Sequence, residues 1–264
     1  MASGVRGGLR QELLAGLRGS PARGVPAELD RTWPQRTRRS PKLTSSFFLL
    51  QSAITQSLVD VRDRYLHERV TIVDIGCGEM PYYPVFAAVA SDYAGADLHP
   101  GPGIRYVGPA ESLGAPDASF DVALSTQVLE HTRDPARCVA EMRRVLAPGG
   151  LALISTHGVW PYHPMPGDYW RWTHEGLRAL VAGVGGLEIL EILPHRASAA
   201  CIANMAGYYV TLLGSGTALE RPAAYFVALL NVAGILGDRA LTRFAFPNEH
   251  ALVMNYLVVA RRVD

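Results

Sequence analysis

Val70-Thr71-Ile72-Val73-Asp74-Ile75-Gly76-Cys77-Gly78-Glu79-Met80 reads as one short strand running into a glycine turn. Val70, Ile72, Val73 and Ile75 are β-branched and leave little polar surface, the pattern of a strand covered on both faces in a parallel sheet. Gly76 and Gly78 allow the backbone to bend and to approach a ligand closely, and the helix that follows offers unpaired N–H groups. Asp74 stands just before the turn, where a carboxylate can order the loop or attract an ammonium group.

Outward from this stretch, strands and helices alternate. Upstream, Phe47, Phe48, Ile54, Leu58, Val61 and Tyr65 recur at helical spacing, which predicts an amphipathic helix over Thr44–His67 capped by Thr44 or Ser45. Downstream, Pro81–Ala90 reads as a helix and Tyr93–Asp97 as a second strand ending in an acid. Strands follow at Ile104–Val107 and Phe120–Ser125, then a helix over Pro135–Leu146 stopped by Pro148-Gly149-Gly150. Leu151–Ser155 is a fifth strand, His174–Val184 a helix capped by Thr173, and Leu187–Leu193 a sixth strand. Two apolar helical patterns, Ala199–Leu213 and Pro222–Leu236, interrupt the rhythm before a closing strand over Ala251–Ala260. Strands alternating with helices predict an α/β fold: a doubly wound, seven-stranded, mostly parallel sheet with helices on both faces. The expected division is an N-terminal arm and helix over 1–68, a core over 69–194, a helical insertion over 195–250 and a final core strand over 251–264.

Composition narrows the function classes. The 264 residues are 48% hydrophobic, enough for one sizeable core, and a formal net charge of +1 gives no field for nucleic acid. The basic residues are nearly all arginine, Lys42 being the only lysine. Nine basic against three acidic side chains fall within Met1–Lys42, an arm expected to be partly ordered. Cys77, Cys138 and Cys201 are far apart, so neither a disulfide framework nor a paired-cysteine metal site is expected, and a reducing, cytoplasmic setting is. The start has no apolar core of a signal peptide. The apolar run Pro222–Gly237 is shorter than the ~20 residues of a membrane span, so no membrane partner is expected.

Ligands of open α/β sheets bind beyond the carboxyl ends of the strands. Asp97 ends the second strand roughly 20 residues past the glycines, where an acid accepts hydrogen bonds from both ribose hydroxyls and repels a 2′-phosphate. A dinucleotide fingerprint would need a third glycine at position 81, where Pro81 stands, and no phosphate-cradling GxxxxGK[ST] occurs. The pattern suits a nucleoside without a pyrophosphate.

Four motifs in register resemble the class I S-adenosylmethionine-dependent methyltransferases, in particular the type 11 methyltransferase-domain group. They are Val73-Asp74-Ile75-Gly76-Cys77-Gly78, Asp97, Ser119-Phe120-Asp121-Val122 followed by Gln127-Val128-Leu129-Glu130-His131, and Arg143 to Gly150. The resemblance covers about Val70–Leu193 and implies a Rossmann-like fold and S-adenosyl-L-methionine as cofactor. It places Gly76 and Gly78 under the methionine part and Asp97 on the ribose. It puts Ala110-Glu111 beside the adenine and Gln127 on the cofactor wall. Asp74 is counted with these. The chain departs from the family where Met80 stands in place of the usual glycine, and where Pro109 takes the place of an acid that would meet the adenine amine.

The segment from Thr156 to Thr173 follows the fifth strand, beside the expected methyl group. It gathers two histidines, one aspartate, one arginine and five large aromatics between prolines. His157 is the leading candidate for a general base and His163 the second, and Asp168 is counted with them among the catalytic candidates. Asp168 and Arg171, three residues apart, can instead pair and order the loop. Trp160, Trp170 and Trp172 can pack or meet a substrate. No metal is expected. The expected function is methyl transfer to an O or N atom of a small molecule, a sugar or specialised metabolite, with a homodimer possible through the apolar helices. The alternative is a catalytically inactive, nucleoside-binding partner subunit; a nicotinamide oxidoreductase is disfavoured by the missing third glycine.

Overall fold

A computed structural model describes residues 13–18, 20–243 and 251–264. The chain forms two compact units: Asp60–Pro194 with Asn255–Asp264, and Met1–Val59 with His195–Met254.

The first unit carries the sheet. Its strands are β1 (Val70–Ile75), β2 (Ala90–Asp97), β3 (Ile104–Val107), β4 (Phe120–Thr126), β5 (Leu146–His157), β6 (Leu187–His195) and β7 (Asn255–Arg262), in the order β3-β2-β1-β4-β5-β7-β6. β1, β2, β3, β4 and β5 pair in parallel, while β7 runs antiparallel to β5. The expected mostly parallel, seven-stranded sheet is therefore present. Strand order reverses between β1 and β4, which makes the carboxyl ends of those two strands the crevice for a ligand. Ile72, Val73, Ile75, Val122, Ala123, Leu124, Leu153 and Ile154 are buried at the sheet's centre, as β-branched and apolar runs covered on both faces must be.

The helices of this unit are short. α6 (Pro135–Val145) starts with Asp134 accepting from Arg137 N, and α7 (His174–Val184) starts with Thr173 accepting from Gly176 N, as its sequence predicted. The helix expected over Pro81–Ala90 is reduced to α5 (Tyr83–Phe86). Ala90 and Asp92 are drawn instead into pairing with Val70 and Thr71, which lengthens β2 backward. α6 ends at Val145, within one residue of its predicted end, but the Pro148-Gly149-Gly150 segment does not separate it from β5. The segment lies inside that strand as a bulge, since Phe120 pairs with Leu146 and Val122 already with Leu151.

The second unit holds α1 (13–18), α2 (Ala27–Thr32), α3 (Arg36–Arg39), the first part of α4 (Phe48–Tyr65), α8 (Ser198–Gly214) and α9 (Glu220–Arg243). The arm from residue 20 onward is packed rather than loose. Asp30 and Arg39 are fully buried as a pair at 3.1 Å, and Arg36 and Ser40 complete the acid's hydrogen bonds. Residues 1–12, where two of the arm's arginines and one of its acids fall, lie outside the described residues. α8 and α9 run antiparallel through small residues: Gly207 faces Val227, Ala203 faces Gly234 and Ala199 faces Gly237. Asp238 of α9 accepts from the backbone N–H groups of Ala197, Ala199 and Ala200, capping α8. α9 is longer than its sequence predicted. Its segment Glu220–Leu241 has a mean hydropathy of 1.4 and is one helix long and apolar enough to cross a membrane by length and composition.

Candidate functional site

The glycine turn after β1 is tied to the end of β2. Gly76 N donates to Ala96 O at 2.8 Å and Cys77 N to the same oxygen at 3.2 Å. Gly76 and Gly78 both have positive φ, 65° and 52°, which glycine adopts at no steric cost. A Cβ on Gly76 would overlap Val128 Cγ2, whereas one on Gly78 would meet nothing within 4 Å. The turn is therefore packed beneath and open above. Met80, at a position where the related family usually has glycine, also has a positive φ of 51°. Its side chain is buried and lies where a Cβ on Gly103 would fall, so one glycine makes room for the residue that replaces another.

Asp97 closes this rim. One carboxylate oxygen accepts from Gly78 N at 2.9 Å and the other from His99 N at 3.3 Å. Each oxygen keeps a second lone pair, so the acid can order the turn and still accept from a ligand diol. Asp74 is fully buried and accepts from the Tyr93 hydroxyl at 2.7 Å. Beyond β3, Ala110 and Glu111 form a turn, and Glu111 accepts from Arg133 N at 3.2 Å. Gln127, with φ 59°, is turned toward β5 and β7, its amide donating to Ser155 Oγ at 3.1 Å and Asn255 Oδ1 at 2.9 Å. Its Oε1 is buried with no hydrogen-bond donor.

The second half of the site lies beyond β4 and β5. β4 ends in a 3-10 turn, Leu129–His131, and β5 ends at His157. Glu130 sits at the hub with no exposed surface. Its Oε2 accepts from Thr156 Oγ1 at 2.8 Å, while Oε1 lies 3.4 Å from His157 Nε2 and receives no hydrogen bond. Burial raises the Glu130 carboxyl above the usual carboxylate range. Its backbone carbonyl accepts from Tyr169 N at 2.9 Å and Trp170 N at 3.3 Å, and Trp170 Nε1 donates to Thr132 O at 2.9 Å. These bonds pin the loop after β5 to the end of β4. In the sequence Glu130 stands only as one residue of the Gln127–His131 motif, because the partners that make it a hub lie 26 to 40 residues further on.

Within the loop, Arg171 and Asp168 form a two-pronged pair, with Nη2 at 2.7 Å from Oδ2. Arg171 also donates to the carbonyls of Trp160 and Pro161. The guanidinium holds the Asp168 carboxyl far below the usual carboxylate range. The same carboxylate accepts from His163 N at 2.9 Å and lies 3.3 Å from His163 Nδ1. His163 Nδ1 also faces Pro161 O at 3.1 Å, and since a carbonyl only accepts, this nitrogen carries the proton and Nε2 the lone pair. His131 Nδ1 meets Gly167 O in the same way. His157 is buried and stacks flat on Trp160 at 4.6 Å, with burial first and neighbouring positive groups second pushing its pKa well below the ordinary histidine value. Its ring lies 5.3 Å from that of His163, which is 4.9 Å from that of His131.

The structure thus brings His157, His163 and Asp168 into one cluster and Gly76, Gly78 and Asp97 onto one rim, with Asp74 buried beneath it. A family model described as a methyltransferase domain matches residues 73–154. An uncharacterized methyltransferase of Mycobacterium sp. (strain JLS) is 41% identical over 100 residues, 34% of this chain and 39% of that protein. A probable S-adenosylmethionine-dependent methyltransferase of Mycolicibacterium smegmatis is 40% identical over 96 residues, 32% of this chain and 37% of the other. The chain therefore spans well under half the length of these curated relatives. A crystal structure of an S-adenosylmethionine-dependent methyltransferase from Mesorhizobium loti aligns with a TM-score of 0.50 and 20% identity, over 81% of this chain and all of that one, which is a likeness of fold. Strand order, glycine turn and sequence agree to this extent: residues 73–154 match the methyltransferase-domain model, and they lie in a sheet whose fold is that of S-adenosylmethionine-dependent methyltransferases.

Proposed function

We propose that this protein transfers a methyl group from S-adenosyl-L-methionine to an oxygen or nitrogen atom of a small molecule. The observation that carries the reading is Asp97 hydrogen-bonded to Gly78 N at the sheet's switch point, with open space above Gly78. The cofactor supplies a methyl on a positively charged sulfur, which leaves as a neutral thioether. Gly76 and Gly78 admit the methionine part against the backbone. Asp97 accepts from the ribose hydroxyls, Ala110 and Glu111 border the adenine, and Asp74 and Gln127 shape the floor. The acceptor lies against the loop after β5. His163 lies on that wall; Asp168 positions its imidazole and His157, neutral and stacked on Trp160, closes the wall behind it. A net charge of +1 carries no basic footprint, so the acceptor is a small metabolite rather than nucleic acid. Pairing of two copies through α8 and α9 is part of the same proposal.

Calorimetry with S-adenosylhomocysteine tests the reading. The native protein binds one equivalent, and Asp97→Ala binds far more weakly. Equal binding by the two proteins, or no binding by either, overturns it.

A further inference from the structure

Three side chains at the acceptor end are arranged in a way that methyl transfer alone does not require. Glu130, His131 and His163 each offer one ligand atom, and these atoms all lie within 4.8 Å of one another. The 3-10 turn after β4 supplies two of them and the loop after β5 the third. Three donors at about 2.0–2.2 Å from a common ion stand roughly 3–4 Å apart, so small side-chain rotations close the set.

The surroundings of each donor matter more than the spacing. Metal-ligating histidines give their other N–H to a carbonyl or carboxylate, which fixes the tautomer and aims the lone pair. Both imidazoles here are held so. His131 gives Nδ1–H to Gly167 O, and His163 gives Nδ1–H toward Pro161 O at 3.1 Å with Asp168 at 3.3 Å. Asp168 is itself clamped by Arg171, so the orienting carboxylate cannot swing away. Glu130 follows the same logic. One oxygen is anchored by Thr156 Oγ1 at 2.8 Å, and the other is buried without a hydrogen bond, 3.4 Å from His157 Nε2. A buried carboxylate oxygen left without a donor is costly unless something else meets it.

We propose that Glu130, His131 and His163 bind one divalent first-row transition ion such as Zn²⁺ or Fe²⁺. Two imidazoles and one carboxylate suit such ions rather than Mg²⁺ or Ca²⁺, and they leave coordination positions open on one side. Those positions fit an acceptor that carries two neighbouring oxygens, a vicinal diol or a hydroxy-carbonyl. The inference rests on the reading above for its purpose, but the ion is held by residues separate from the glycine–Asp97 rim.

The test uses the full chain stripped with a chelator. Co²⁺ is titrated while its visible d–d absorption is followed, and Zn²⁺ is titrated by calorimetry. One equivalent of each is expected to bind. His163→Ala and Glu130→Gln each weaken binding by about 100-fold or more, and Asp168→Asn, which touches no ion, weakens it about 10- to 100-fold. His67→Ala, at an exposed position outside the cluster, leaves it unchanged. S-adenosylhomocysteine binding is measured on the same proteins and is retained in His163→Ala. If Glu130→Gln does not fold, His163→Ala on the partly exposed loop decides the matter. Absence of stoichiometric Co²⁺ and Zn²⁺ binding, or equal binding by native protein and His163→Ala, overturns the metal site while leaving the nucleoside reading intact. Metal binding without S-adenosylhomocysteine binding would do the reverse.

Discussion

The two halves of the site are built by opposite means. The rim after β1 and β2 is made of backbone and one acid: Gly76, Gly78 and Asp97 lie within 22 residues and fasten to each other directly. The wall after β4 and β5 is made of side chains whose partners are distant in sequence: Glu130 reaches Thr156, Tyr169 and Trp170, and Arg171 gathers Asp168, Trp160 and Pro161. A ligand common to a whole family can be held by backbone geometry. A ligand particular to one chain needs variable side chains, and these need a frame. The frame here is Glu130 and Arg171.

Four substitutions break or sharpen this contrast. Gly76→Ala should have the largest effect, about 3 kcal/mol of stability, because it adds a positive-φ penalty to an overlap with Val128. A thermal melt of the single variant beside Gly76→Ala/Val128→Ala checks it, and the double variant should recover part of the loss. Asp97→Ala should cost about 2 kcal/mol of S-adenosylhomocysteine affinity, roughly 30-fold, through lost bonds to a charged acceptor. Asp168→Asn should leave that affinity unchanged and lower kcat about tenfold, since it loosens His163 and the Arg171 clamp on this wall and touches nothing on the rim. An equal loss in both quantities would mean that the two halves are one coupled unit. Trp170→Phe should have the smallest effect, about 1 kcal/mol, by removing the Nε1 bond to Thr132 O. Chemical denaturation with unchanged slope is the measurement.

The same contrast governs what could be read from sequence. β1, β3, Thr173 capping α7 and the glycine turn stand where their spacing placed them, because their signals are local. The extent of β2 and the bulge in β5 were hidden, because both are decided by pairing with a neighbouring strand. Gly150 shows why: a Cβ there would come within 3.0 Å of Asp121 O on β4, a contact that no sequence window contains. At the site, residue types in the loop were legible and their division of labour was not. The Asp168–Arg171 pair was legible from its three-residue spacing, but the contact of the same carboxylate with His163 was not. His157 is legible as a histidine at the end of a strand, but its burial flat against Trp160 is not. Glu130 lies 26 residues from Thr156 and 39 from Tyr169, so nothing local marked it as the joint between them.

One consequence of that joint concerns how such a site changes its tastes. The loop is anchored at Tyr169, Trp170 and Arg171, while its outer bend carries Tyr162 and Met165, 73% and 86% exposed. Substitutions at the bend leave every anchoring bond in place. A library randomised at those two positions should therefore yield folded proteins throughout, with selectivity free to wander while the apparatus beneath it stays put.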